Sequence, residues 1–138
     1  MLSENVTGGC FCGAVRYKAT SAPIGSMVCH CQSCRRIAAS PAVAWVTFNK
    51  AHFQFTSKAP SEFGSSQGVR RTFCSTCGTQ LTYENAKSEA EVDITTCSLD
   101  HPEPFAPTHH SWLSDNVPWV RFGDGLPSYP ESRSASGI

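Results

Sequence analysis

Seven of the eight cysteines in this chain fall into four short patterns, Cys10-x-Cys12, Cys29-x-Cys31, Cys31-x2-Cys34 and Cys74-x2-Cys77. Thiolate sulfur is a soft donor, so thiols grouped this closely suit zinc, with iron as the rival, over magnesium, calcium or manganese. The run Cys74-Ser75-Thr76-Cys77-Gly78 predicts a tight turn that brings two sulfurs within the bite of a tetrahedral ion. Gly8-Gly9-Cys10-Phe11-Cys12-Gly13 reaches the same end differently: residues i and i+2 of extended chain share a side, and the flanking glycines let the backbone turn both thiols to one point. The competing use of clustered cysteines, a disulfide framework, belongs to small exported domains. With 138 residues the chain needs no such staples, and its first nine residues lack the basic and apolar regions of a signal peptide.

The ligand count then bears on function. A structural zinc takes about four ligands, whereas a catalytic zinc takes about three and keeps one position for water or substrate. Cys10 and Cys12 joined by Cys74 and Cys77 would close one site. Cys29, Cys31 and Cys34 remain for a second, which is open unless something caps it. Cys97, at the end of a candidate strand, is either a small buried thiol packed as a hydrophobe or that cap. His30 lies between two ligands in extended chain, which turns it to the opposite face. The expectation is thus two zinc ions per chain, with Cys29, Cys31 and Cys34 the candidate catalytic residues.

A bound dication deprotonates a coordinating thiol. An open three-cysteine zinc can therefore take a substrate thiol as fourth ligand and hold it beside an aldehyde. Polarisation of the aldehyde oxygen is the weaker route, because three thiolates already donate to the metal. Seven thiolates and two dications sum to about −3. Arg16, Arg35, Arg36, Arg70 and Arg71 all lie within seven residues of a candidate ligand. They either offset that charge, or Arg35 or Arg36 clamps a substrate carboxylate. His109 and His110 are either proton carriers or hydrogen-bonded structural histidines. Trp112 and Trp119 either wall a pocket or pack in the core.

Short strands must position these groups. Segments rich in β-branched and aromatic residues run over 14–18, 27–29, 43–48, 52–55, 69–73, 80–83 and 91–95, several with the period of half-buried antiparallel strands. One short helix is expected from about Ser33 to Ala39, before Pro41. Phe11, Trp45, Phe48, Phe53, Phe55 and Phe73 read as core. The result is one mainly β domain over 1–138, with a core from about 7 to 128 and a frayed Ser-rich tail from about 129. Eleven basic residues balance eleven acidic ones, which argues against a nucleic-acid partner. No apolar run approaches the ~18 residues of a membrane span, so a cytoplasmic protein is expected.

In this order the clusters resemble those of the glutathione-dependent formaldehyde-activating enzyme family, which includes centromere protein V. The resemblance rests on Gly9-Cys10-Phe11-Cys12-Gly13-Ala14-Val15-Arg16-Tyr17, on Cys29-His30-Cys31-Gln32-Ser33-Cys34-Arg35-Arg36 and on Arg71-Thr72-Phe73-Cys74-Ser75-Thr76-Cys77-Gly78-Thr79-Gln80-Leu81. Leu99-Asp100, Pro107, His110, Trp112 and Pro118-Trp119 extend it. It implies a zinc-stabilised β-tent (Mss4-like) fold of antiparallel sheets, the same division of the cysteines, and a carbon–sulfur lyase that joins a thiol such as glutathione to formaldehyde. The chain is shorter than the founding enzyme, and Cys97 stands where relatives often carry a small residue. The rival expectation is a zinc-stabilised protein-interaction module, which a Cys97 cap would favour.

Overall fold

The computed structural model describes residues 5–134. Among them lie ten strands and one α-helix: β1 (Val6–Gly9), β2 (Arg16–Ala19), β3 (Gly25–Cys29), α1 (Gln32–Ala38), β4 (Val43–Asn49), β5 (Phe53–Phe55), β6 (Ser61–Ser66), β7 (Val69–Phe73), β8 (Gln80–Asn85), β9 (Glu91–Thr95) and β10 (His110–Ser111). They form a three-stranded sheet in the order β1-β2-β5 and a seven-stranded sheet in the order β10-β3-β4-β9-β8-β7-β6. The chain is mainly β, as its residue pattern predicts. All pairings are antiparallel except β10 with β3, where His110 lies opposite Val28 in a parallel pair. The sheets are antiparallel as expected apart from that two-residue edge pair, where β10 arrives from a long irregular crossing rather than a hairpin.

Alternation along the strands gives the large sheet two chemically different faces. Cross-strand partners share a face, so Val46 with Ile94, Phe48 with Val92, and Ile94 with Thr82 define one of them. This face is buried together with Val15, Tyr17, Ala19, Leu81, Leu99 and Phe105 in the main core, which also takes in Cys10 and Cys74. The opposite face carries the register Met27–Trp45 and Thr47–Asp93–Tyr83–Arg71. Here a smaller cluster of Cys29, Cys34, Val43 and Trp45 packs with Met27, Cys31 and Tyr83. One cysteine group thus belongs to each side of the sheet.

The helix starts one residue before its expected position. Cys31 caps it, its Sγ accepting from the Cys34 amide at 3.3 Å, and Ala39 ends it in the left-handed region at φ 51°. Three strands are absent from the sequence reading: β1, written largely in glycine and threonine; β6, rich in serine; and the two-residue β10. Phe11 is a correction to the expected core, since it stands 93% exposed at the tip of its loop. Fraying does not begin at 129: the Tyr129 amide donates to His110 O, while Tyr129, Pro130 and Glu131 carbonyls accept from Leu113, Ser114 and Trp112. The last residues of the expected tail, 135–138, lie outside the described residues.

Candidate functional site

The first cysteine group is built by two loops of similar design. Cys10 N–H donates to Val15 O at 3.0 Å and Gly13 N–H to Cys10 O at 3.1 Å; in the second loop Cys74 N–H donates to Thr79 O at 3.0 Å and Gly78 N–H to Cys74 O at 2.8 Å. Gly13 and Gly78 both take φ 82°, a conformation that a side chain would strain. The loops touch where the Phe11 amide donates to Thr79 Oγ1. Cys10 Sγ lies 3.6 Å from Cys12 Sγ, which lies 3.8 Å from Cys74 Sγ. Four sulfurs held ~2.3 Å from one tetrahedral ion stand roughly 3.8 Å apart, so the donor set fits zinc. Amides of Val15, Thr76 and Cys77 donate to Cys10 or Cys74 sulfur, as thiolates require. The Thr79 hydroxyl and amide draw the Cys77 thiol down to about 5. Cys10, Cys12, Cys74 and Cys77 form one group that can hold a metal ion.

Cys29, Cys31 and Cys34 form the second, with sulfurs within 4.8 Å of one another. The end of β3 supplies Cys29, the helix cap Cys31, and the first turn of α1 Cys34. These thiols share charge. Cys31 is drawn down to about 2, chiefly by the neighbouring Cys29 and Cys34 thiols and least by the charge of Arg71. Cys29 is pushed up, chiefly by its neighbours Cys31 and Cys34 and then by burial. Among the described residues no fourth Cys, His, Asp or Glu joins the three.

Cys97 fits neither of its expected roles. It is exposed, on a single helical turn over Thr96–Ser98, and lines a depression with Gly78 and Thr79 instead. His30 turns away from the cysteines, as extended geometry predicts. It is buried at 1% exposure, with Nε2 3.0 Å from His110 Nδ1. His110 Nε2 in turn lies 2.9 Å from Asp124 Oδ2. His110 is accordingly a hydrogen-bonded structural histidine, and His109 pairs with Thr108 Oγ1 at 3.0 Å.

A cavity of about 340 Å³ adjoins the three-cysteine group. Besides the cysteines, Met27, Trp45, Tyr83, Arg71 and Asp93 of the large sheet line it, and the C-terminal part of the chain adds Trp112 and Asp115. Trp112 holds a left-handed backbone at φ 58°, uncommon for a bulky residue and a kind of strain found at binding sites. Arg35 and Arg36 do not line this cavity; they flank a separate depression with Trp119, which is 75% exposed. The arginine that does line it is Arg71. Burial pushes the Asp93 carboxyl up to about 6, against the opposing bond from Thr47 Oγ1 to its Oδ1. The sequence reading missed Asp93 altogether, because only cross-strand register aligns it with Trp45 and Arg71.

The family described as glutathione-dependent formaldehyde-activating enzyme matches residues 5–115. A Schizosaccharomyces pombe protein described as an uncharacterized lyase is 32% identical over 83 residues, which are 59% of this chain and 60% of that protein. A crystal structure of a Rhodobacter sphaeroides protein superposes with a TM-score of 0.62 at 19% identity, covering 76% of this chain and 99% of that one. That likeness shows the fold. No helix among the described residues is long and apolar enough to cross a membrane.

Proposed function

Because the chain belongs to the glutathione-dependent formaldehyde-activating enzyme family, we propose that it joins a small thiol to formaldehyde or another small aldehyde in the cavity beside Cys29, Cys31 and Cys34. The observation that carries this reading is a group of three cysteines, placed so that it could hold a metal ion, beside a cavity that the same cysteines line. Three donors leave one position on an ion that takes four. Zinc held there would supply a charge that keeps an arriving thiol deprotonated at neutral pH. The protein's own residues do the rest. Trp45, Met27 and Tyr83 give the cavity apolar walls, which exclude water from a reactive aldehyde.

Addition forms a sulfur–carbon bond, while the carbonyl π electrons move to oxygen. The thiol proton is released and the resulting alkoxide takes up a proton, giving a hydroxymethyl thioether. Asp93 is suited to give that proton: it lines the cavity, and a carboxyl titrating near 6 carries a proton often enough at neutral pH. Thr47 engages only Oδ1, so the second oxygen is left for substrate. Run backwards, the same steps are those of a carbon–sulfur lyase. A Cys97 cap on the second group would have favoured the interaction-module reading, and Cys97 lies outside that group.

The test is formation of the hydroxymethyl thioether from carbon-13 formaldehyde and glutathione, followed by NMR against the uncatalysed rate. Cys31→Ser should lower the rate at least about tenfold, equivalent to ~1.4 kcal/mol of barrier, and Cys97→Ser should leave it unchanged. Full activity in Cys31→Ser would overturn the reading.

A further inference from the structure

Arg71 rises from the middle of β7 into the cavity that the cysteines share. It is only 3% exposed. Its Nε donates to Ser65 Oγ at 2.9 Å, and its guanidinium lies 4.8 Å from the centre of the Tyr83 ring. Nη1 is buried and has no hydrogen-bond partner. The ion pairs among the described residues leave Arg71 without a carboxylate. Its chain neighbour Arg70 is the contrast: half-exposed and facing the other way, it is paired with both Glu62 and Glu84.

A guanidinium stays charged at any physiological pH, and burying it without an anion is costly. Stacking on Tyr83 and one hydroxyl offset part of that cost and fix the plane of the fork. The unengaged Nη1 faces no protein acceptor, while the remaining charged groups of the cavity, Asp93, Asp115 and the three cysteines, are all potential anions. Apart from the metal position at the cysteines, Arg71 is therefore the one side chain lining the cavity that favours a ligand's negative charge. Strands β4, β9 and β8 separate it from β3, which carries Cys29. A ligand that reached both ends would be extended, with its anion several bonds from its thiol.

We propose that Arg71 is the anchor for a carboxylate carried at the far end of the thiol substrate, so that the site selects extended anionic thiols. This rests on the reading of the three-cysteine group as a thiol site. Arg71 acts here by binding and orientation. Its loss should accordingly raise KM for an acidic thiol far more than it lowers kcat, whereas a merely structural counter-charge would affect acidic and neutral thiols alike.

The experiment compares 6-mercaptohexanoate with its methyl ester by calorimetry on the metal-loaded protein, with no aldehyde present. The native chain should bind the acid at least about tenfold more tightly than the ester, and Arg71→Gln should reduce that ratio to about twofold or less. Arg71→Lys should keep a smaller preference, since a point charge lacks the planar fork. Equal binding of acid and ester by the native chain would overturn the proposal, whether or not the variants fold. So would a preference that survives in a folded Arg71→Gln. If neither thiol binds, the thiol-capture reading fails and hexanoate decides the anchor separately: a rise in Tm for the native chain but not for Arg71→Gln upholds it, and no rise in either overturns it.

Discussion

Asp93 stands in register between Thr47 and Tyr83, on the face of the sheet that lines the cavity. Its carboxyl is pushed from 3.8 to about 6 by burial, so the folded state holds that proton more tightly than the unfolded chain does. The stability linked to it is complete below pH 3.8 and is lost as pH rises through about 6. Asp93→Asn keeps the shape and removes the titration. The variant should therefore gain stability relative to the native chain at pH 8, by at most about 3 kcal/mol, and lose the advantage at pH 4. Urea unfolding at the two pH values checks this; an equal difference at both would contradict the raised carboxyl. The same change should slow thioether formation by about 10²–10⁴-fold if Asp93 carries the proton. The cysteines were legible in the sequence because their ligand spacing is local. Asp93 and Arg71 were not, because their shared cavity exists only once β7, β8 and β9 align, and Arg35 and Arg36 drew the clamp assignment by mere proximity to Cys34.

At the scale of elements, β1 is held by contacts far along the chain. Gly8 bridges Leu99, the Asp100 amide donates to Thr7 O, and the Asp100 carboxylate accepts from Thr7 Oγ1 and Arg16. A Cβ on Gly8 would lie under 3.0 Å from both the Tyr17 side chain and the Ser98 backbone oxygen. Gly8→Ala should cost about 1–3 kcal/mol, as overpacking does, and shift the urea midpoint without altering the m-value. An unchanged midpoint would mean that β1 is looser than this packing requires. The strands over 69–73 and 91–95 match their observed bounds, since both are rich in β-branched residues and Val92 and Ile94 alternate with polar ones. β1 escaped because Gly8-Gly9 lowers the strand propensity of so short a segment, and β6 because its serines leave no apolar alternation. Tertiary pairing with β2 and β7 makes those two strands.

For the whole molecule, one sheet separates two cysteine groups, each able to hold a metal ion. The group of Cys10, Cys12, Cys74 and Cys77 joins the N-terminal loop to the turn after β7, and metal bound there would stabilise the fold directly. The three-cysteine group sits on the other face, at the cavity. The main core with its cysteine loops could be read in the sequence as a metal-stabilised β domain. Trp112 is open to reading as a pocket wall from the sequence, but Asp115 is not, because this wall depends on 110–114 pairing with 128–131. We propose that the group of four is closed and the group of three open. Elemental mass spectrometry on protein purified without chelator tests it most directly, comparing the native chain with Cys97→Ser and Cys31→Ser. Two zinc ions per chain are expected in the native protein and in Cys97→Ser, and one in Cys31→Ser. Loss of one zinc in Cys97→Ser would contradict it, since the second group would then be closed by a fourth cysteine.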